Sequence, residues 1–276
     1  MPITYIGVDI AERPKGEHIS VAVTRGTAAR IYLVAHAEGI TSIQRAAEFI
    51  VRHATANTIV AIDAPLILHN HTGQRPCDAE IDRRFGRFLV ASRSANLARY
   101  PDPAGLRFVD LLRWDGFRHD PRLEDPRMQA GRWMFEVRAQ PAEAVWFGPE
   151  ALAAFQASRI AERRYGLRLL QGHVRSLQYG IPRLEVTPAL EELVGRNLST
   201  LRGRRQFDNY RAALNAVLCA YLAAHVWRWG RERNEIVGDV RTGYVIIPSL
   251  AHVERINGEP ARPALPSFDN SLNGDA

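Results

Sequence analysis

The chain has 276 residues, 46% of them hydrophobic, and a formal net charge of +6. It lacks an uninterrupted apolar run of about 18 residues and a basic-then-apolar secretory pattern, which argues against a membrane-spanning or secreted protein and predicts a soluble, cytoplasmic one. Its two cysteines, Cys77 and Cys219, are too few for a disulfide framework or a structural zinc site. The basic charge permits a nucleic-acid partner, although the arginines that carry it are spread along the chain.

Two short apolar runs, residues 3–9 and 58–63, each end on an aspartate. The second run is rich in β-branched residues and is closed by Pro65, which is typical of a buried parallel strand. Ligands of open α/β sheets bind beyond the carboxyl ends of the strands, so we expect Asp9 and Asp63 to face one pocket. Two carboxylates held that close together need a cation or a shared proton.

Three predicted elements connect these two runs. Residues 18–24 and 29–35 are expected to form strands joined by short turns, and residues 41–53 have the apolar period of a helix that Thr41 can cap. The resulting βββαβ order is antiparallel first and then crosses over to a parallel strand, unlike a plain doubly wound sheet. Since no Gly-x-Gly-x-x-Gly follows the first strand, dinucleotide binding is not expected.

A basic segment and an irregular insertion follow Asp63. Residues 77–99 are expected to begin as a helix. Residues 100–132 are rich in Pro, Gly, Asp and Arg, and they contain an amphipathic piece at 108–114. Long irregular connections of this kind are typical of lids, binding loops and disordered insertions. We interpret residues 1–256 as one domain that carries this insertion, and residues 257–276 as a disordered tail.

The remaining core elements lie between the insertion and the tail. Residues 133–137 are predicted as the fifth core strand, and residues 149–203 have a helical pattern that is interrupted at several glycines, including Gly166. Residues 208–228 form the clearest long helix. A small hairpin is expected from residues 235–237 and 244–248.

Four short motifs resemble one known family: Gly7-Val8-Asp9, residues 61–66, Arg75-Pro76-Cys77-Asp78 and Phe135-Glu136-Val137. They look like domain-of-unknown-function family 429, which is regarded as a group of predicted nucleases with an RNase H-like fold, and the similarity extends over residues 3–248. The resemblance implies an α/β fold with a five-stranded mixed sheet. Three antiparallel strands are followed by two parallel ones, and the sheet is flanked by helices with a helical insertion.

The chemistry that the resemblance implies is a carboxylate cluster that binds one or two Mg²⁺ or Mn²⁺ ions, which activate water and stabilise the leaving oxygen of a phosphodiester. Asp9 and Asp63 match the acids of the first and fourth strands. The acid expected on the late helix is replaced by Asn215, a poorer ligand, and Ala212 stands one turn earlier. Asp208, two turns before Asn215, can substitute as a ligand or simply cap the helix.

Further candidate site residues have competing structural explanations. Glu136 is either an acid that faces the site or the exposed member of an alternating strand. Arg75 can bind a phosphate, with Asp78 either orienting it or capping the next helix. An arginine cluster on that helix can follow a phosphate backbone or simply form a solvated face, and it consists of Arg83, Arg84 and Arg87.

The sequence therefore predicts a Mg²⁺- or Mn²⁺-dependent phosphodiester hydrolase that acts on nucleic acid, with Asp9, Asp63, Glu136, Asp208 and Asn215 as candidate site residues. Two alternatives stay open. The Asn215 substitution favours a non-catalytic nucleic-acid-binding module with a degenerate metal site. A phosphotransferase of the related actin-like kinase class shares the βββαβ order, although no Gly-rich phosphate loop follows Asp9. No oligomeric state is predicted.

Overall fold

A seven-stranded mixed sheet forms the centre of the chain, in a computed structural model that describes residues 2–13, 16–88, 94–121, 131–156 and 158–250. The strands lie in the order β5-β6-β4-β1-β2-β3-β7. Their bounds are β1 Ile3–Arg13, β2 Gly16–Gly26, β3 Arg30–Ile40, β4 Thr58–Asp63, β5 Arg118–His119, β6 Arg132–Glu136 and β7 Arg183–Glu185. A separate hairpin pairs β8 (Asn234–Asp239) with β9 (Gly243–Pro248).

The centre of the sheet has the predicted order of strands. β2 is antiparallel to β1 and to β3, whereas β4 is parallel to β1 and β6 is parallel to β4. The predicted number of five strands is wrong, because β5 adds to one edge and β7 to the other, both in parallel pairings. Each of these strands has only two or three residues, which is too short to produce a periodic pattern in the sequence.

Helices cover both faces of the sheet. Buried residues of α8, α6 and α7 form one core cluster against it, and buried residues of α1 and α3 form another on the opposite face. The helix bounds are α1 Ile43–His53, α2 Pro76–Phe85, α3 Ala104–Trp114, α4 Ala139–Phe147, α5 Glu150–Gln156, α6 Ile160–Ser176, α7 Pro188–Val194 and α8 Arg204–Trp229. None of the helices in the described part of the chain is long and apolar enough to cross a membrane.

The long helix α8 lies unusually close to β1. A Cβ atom built on Gly7 would stand 1.9 Å from the backbone oxygen of Ala216 and 2.2 Å from the backbone nitrogen of Ala220. Only glycine therefore fits on β1 at this point, and only small residues fit on the facing side of α8. The close contact fixes the part of α8 that carries Asn215 against the strand that carries Asp9.

Several helix predictions need correction. Ser42, and not Thr41, caps α1, since its side chain accepts a hydrogen bond from the backbone N–H of Arg45. The predicted break at Gly166 is also wrong, because α6 continues through it. This glycine instead permits close packing, since an added Cβ would approach the backbone nitrogen of Phe155 to 2.6 Å. The amphipathic piece at 108–114 is confirmed as α3. The predicted tail lies outside the described residues, as do residues 122–130 of the insertion.

Candidate functional site

A polar cavity of about 790 Å³ opens at the carboxyl end of β4 and beside Asp9 of β1. The prediction that the first strand ends on Asp9 is wrong, because β1 continues to Arg13 in its pairing with β2. The position of the cavity agrees with the rule that ligands of α/β sheets bind beyond the strand ends. Asp9 and Asp63 line it from the sheet. Four arginines contribute to the opposite walls together with Asp208, Ala212 and Asn215 of α8, and these arginines are Arg138, Arg163, Arg204 and Arg211.

The sheet register brings the two predicted aspartates together. Asp9 and Asp63 are direct partners in the parallel pairing of β1 with β4, and neighbouring strands lie about 4.8 Å apart. Oδ2 of Asp9 accepts a 2.8 Å hydrogen bond from Nδ2 of Asn215, and Oδ2 of Asp63 accepts a 2.9 Å bond from the backbone N–H of Ala139. The Oδ1 atom of each carboxylate has no hydrogen-bond partner among the described residues.

The environment of this pair disfavours two negative charges. Burial and the neighbouring charge of Asp63 raise the pKa of Asp9 from 3.8 to about 7, although the hydrogen bond from Asn215 opposes the shift. Burial also raises the pKa of Asp63, and the positive charge of Arg138 counteracts this effect. The pair therefore favours either a bound proton or a bound cation at neutral pH.

The nearby guanidinium groups do not occupy the two carboxylates. Arg138 donates a 2.9 Å hydrogen bond to Asp78, and Arg211 donates a 3.1 Å hydrogen bond to Glu143. Both arginines act on Asp63 through their charge. Because the direct bonds go elsewhere, the free carboxylate oxygens stay open to a ligand in the cavity.

The donor set fits one hard cation better than two. The unpartnered Oδ1 atoms of Asp9 and Asp63 are accompanied by the buried Oδ1 of Asn215, which has no hydrogen-bond partner among the described residues. Carboxylate and amide oxygens are suitable ligands for Mg²⁺ or Mn²⁺. However, the part of the chain that the structure describes contains no group of three or more His, Cys, Asp or Glu residues that could hold a metal.

Asp208 and Ala212, the other two positions of α8 considered as metal ligands, do not complete a second metal site. Asp208 lines the cavity, but its carboxylate lies 3.8 Å from Arg163 and 3.9 Å from Arg204, so its charge is already balanced. Ala212 presents a methyl group to the cavity one turn before Asn215. The predicted role of Asp208 as a substitute ligand therefore gains no support from its contacts.

Three predicted site residues form a buried ion-pair network outside the cavity lining. The side chains of Arg75, Asp78 and Glu136 are 0% exposed. Arg75 donates two hydrogen bonds to Asp78, two to Glu136 and one to the backbone oxygen of Ile67. These bonds use all five donors of the guanidinium, which leaves none for a phosphate.

This network corrects the roles expected from the sequence. Arg75 and Asp78 are not placed to bind a substrate, and Glu136 is neither a cavity-facing acid nor an exposed strand residue. Glu136 also accepts a 2.8 Å hydrogen bond from the backbone N–H of Leu66. The network thus connects the segment after β4 to the end of β6. We infer that its role is structural and that it holds the elements around the cavity in place.

Two members of the predicted arginine cluster, Arg83 and Arg84 of α2, lie outside the cavity lining. Arg83 is paired with Glu80, and its side chain is 72% exposed. Arg84 makes two hydrogen bonds to Glu235 of β8. The side chain of Arg87 lies outside the described residues. Arg83 and Arg84 are therefore not part of the cavity lining, and their predicted role along a phosphate backbone stays a prediction.

Sequence reasoning missed Arg211, Arg138 and the buried Glu143. Arg211 precedes Asn215 by four residues, which places both on one face of α8. A search for basic residues three or four positions from the predicted site residue Asn215 could therefore have found it. Glu143 stands within the largely apolar helix α4, and an acid in that context is a signal for a buried ion pair. The residues that flank Arg138 in the sequence do not indicate that its side chain lines the cavity.

The chain has no significant match among curated proteins or among solved structures. A family model described as "Protein of unknown function (DUF429)" matches residues 7–240, which is most of the chain. The matched range includes Asp9 and Asp63, the buried arginine network and the whole of α8. The chain therefore belongs to the DUF429 family.

Proposed function

We propose that the protein is a divalent-metal-dependent phosphodiester hydrolase of the RNase H-like class that acts on nucleic acid. The observation that carries this proposal is the pair of aspartates at one register position of β1 and β4, each with a free oxygen beside a polar cavity. The RNase H-like assignment is supported by the three antiparallel and two parallel strands at the centre of the sheet, and by the long helix packed on the first strand.

In this proposal Asp9, Asp63 and the amide oxygen of Asn215 hold a single Mg²⁺ or Mn²⁺ ion. Such an ion supplies a Lewis acid that activates water and stabilises the leaving oxygen. Asn215 orients Asp9 through its Nδ2 hydrogen bond, and the backbone N–H of Ala139 orients Asp63. The arginines of the cavity attract the anionic substrate and balance its charge.

A second candidate is a nucleic-acid-binding module without catalysis. It is favoured by one observation: α8 provides an amide at position 215 that already donates to Asp9, where a nuclease of this class would carry a carboxylate. Such a module would bind nucleic acid in a salt-dependent and metal-independent way, because phosphate contacts release counterions. The phosphotransferase expectation stays a prediction that no contact in the described residues favours.

Calorimetric titration of Mn²⁺ tests the metal site without a guess about the substrate. We expect the wild type to bind about one ion and Asp63→Asn to lose most of the affinity, since one of two carboxylate ligands becomes neutral. Asp110→Asn is the matched control, because Asp110 is 71% exposed and lies on α3. Equal affinity in the wild type and Asp63→Asn, or no binding at all, would contradict the metal site.

Cleavage assays then separate the two candidates. Labelled DNA, RNA, hybrid and branched substrates are incubated with Mg²⁺ or Mn²⁺, and Asp9→Ala is compared with the wild type. The hydrolase predicts cleavage that Asp9→Ala abolishes. Salt-sensitive binding of the same substrates without cleavage would instead support the binding module.

A further inference from the structure

One guanidinium in the cavity has unused hydrogen-bonding capacity. The side chain of Arg211 is only 8% exposed, yet it lines the cavity, and Nη2 is bonded to Oε2 of Glu143 at 3.1 Å. Its Nη1 atom is buried and has no hydrogen-bond partner among the described residues. A buried N–H group without an acceptor costs free energy, so an acceptor that enters the cavity gains from bonding to it.

Arg211 is held rigidly from two sides. Glu143 is 0% exposed and supplies a buried negative charge beneath the guanidinium. The ring of Phe155 lies on another side, with its centroid 4.4 Å from Cζ of Arg211. Cζ of Arg163 lies 5.3 Å from the same ring centroid. Contacts of this kind restrict the guanidinium to one orientation, which lowers the entropy lost when it binds a ligand.

The position of Arg211 connects it with the proposed metal site. It lies on α8 one helical turn before Asn215, which bonds to Asp9. Arg211, Asp9 and Asp63 line the same cavity. An anionic group bound to Arg211 would therefore lie beside the two carboxylates.

We propose that Arg211 binds a terminal phosphate group of the substrate. A planar guanidinium matches two phosphate oxygens at once, and the pair with Glu143 aligns it without using Nη1. A terminal phosphate has three unesterified oxygens and one attachment, so it can reach a guanidinium that is more than nine-tenths buried. An internal phosphate of a duplex has two unesterified oxygens and is flanked by two sugars, so it matches a guanidinium at this depth less well. The phosphate chemistry of the ligand rests on the proposed function.

Calorimetric titration with inorganic phosphate, in the presence of a chelator, tests the Arg211 site independently of the metal site. We expect the wild type to bind phosphate, and both Arg211→Gln and Arg211→Lys to weaken binding by at least about tenfold, because charge-assisted bidentate bonds are lost. Arg175→Gln is the control: it also removes one positive charge and one ion pair, but on the exposed side of α6, and should not change the affinity.

Arg211→Lys carries the test if Arg211→Gln fails to fold, since lysine keeps the charge beside Glu143. A second arm compares a short single-stranded oligonucleotide with and without a 5′-phosphate, and we expect tighter binding of the phosphorylated form in the wild type alone. The proposal is overturned if the wild type does not bind phosphate, if the Arg211 variants bind it equally well, or if Arg175→Gln weakens it as much. Equal binding of the two oligonucleotides overturns the terminal-phosphate assignment. The Mn²⁺ titration fails or succeeds separately, so failure of the metal site is distinguishable from failure of this one.

Discussion

The raised pKa of Asp9 predicts that the metal-free protein loses stability as the pH rises through neutrality. In the unfolded chain Asp9 titrates at its ordinary value of 3.8, whereas in the folded protein burial and Asp63 raise the pKa to about 7. Between these two values the folded state binds a proton that the unfolded state has released. The free energy of unfolding therefore decreases with increasing pH over this range, and the decrease ends once the pH exceeds the folded pKa.

The magnitude follows from the size of the pKa shift. One pKa unit corresponds to about 1.4 kcal/mol, so the contribution lost between about pH 5 and about pH 8 is roughly 2 to 3 kcal/mol if the shift is realised in full. The cavity opens to solvent, which makes this figure an upper limit. Asp9→Asn removes the titrating group but keeps an oxygen that can accept the hydrogen bond from Asn215. The free energy of unfolding of this variant should therefore lack the decrease of roughly 2 to 3 kcal/mol between about pH 5 and about pH 8.

Chemical denaturation across this pH range, in a chelator, provides the measurement. The wild type and Asp9→Asn are compared at each pH, and the difference between their free energies of unfolding is plotted. Added Mn²⁺ should reduce the pH dependence of the wild type, because a cation then replaces the proton. If the two proteins show parallel pH profiles in the chelator, the interpretation of Asp9 as a half-buried, charge-destabilised carboxylate is refuted.

Three further predictions concern other parts of the structure. Asn215→Asp should strengthen Mn²⁺ binding by about tenfold or more, because it adds a charged ligand. In a chelator it should lower the melting temperature, because the hydrogen-bond donor to Asp9 is replaced by a second negative charge. Unchanged Mn²⁺ affinity would argue against a metal ligand at this position. Gly7→Ala should destabilise the protein by about 3 kcal/mol or more, since the added Cβ would lie 1.9 Å from a backbone oxygen of α8. The control is Gly172→Ala in the middle of α6, where an added Cβ has no neighbour within 4 Å, and it should be neutral or stabilising. Similar melting curves for the two variants would contradict the close packing of β1 and α8. Arg75→Met should lower the free energy of unfolding, measured with denaturant, by about 3 to 5 kcal/mol, because two buried carboxylates lose their partner. Arg83→Met on the surface is the control and should leave the unfolding midpoint unchanged. A mild effect of Arg75→Met would show that the buried ion-pair network is not needed for stability.

The pairing of Asp9 with Asp63 was predictable because their positions depend on local signals, although β1 continues beyond Asp9 to Arg13. Apolar runs of limited length mark β1 and β4, and the crossover helix between them requires a parallel pairing, which brings the ends of the two strands to one edge. The same kind of local signal identified α8 and the hairpin of β8 and β9. The short edge strands β5 and β7 had no comparable signal, since they depend on pairing with neighbours that are already in place.

The roles of the charged residues were harder to predict because they depend on tertiary contacts. Arg75 and Glu136 are 61 positions apart in the chain, and their sequence context does not indicate that each neutralises the other in the core. The motif that contains Arg75 and Asp78, which looked suited to phosphate binding, therefore forms a buried ion-pair network instead. Arg211 and Glu143 lie 68 positions apart and were missed for the same reason. Side chains of this type are assigned correctly only when their partners are known.

The backbone contact between Gly7 and α8 limits how this site can vary. With no side chain between the strand and the helix, α8 cannot slide or rotate to accommodate a different ligand without a collision of backbone atoms. On the α8 side of the cavity, changes of chemistry therefore come from exchanging side chains at fixed positions, such as 211, 212 and 215. Substitution of these positions, rather than remodelling of loops, is the direct route to altering the ion or the anion that the cavity accepts.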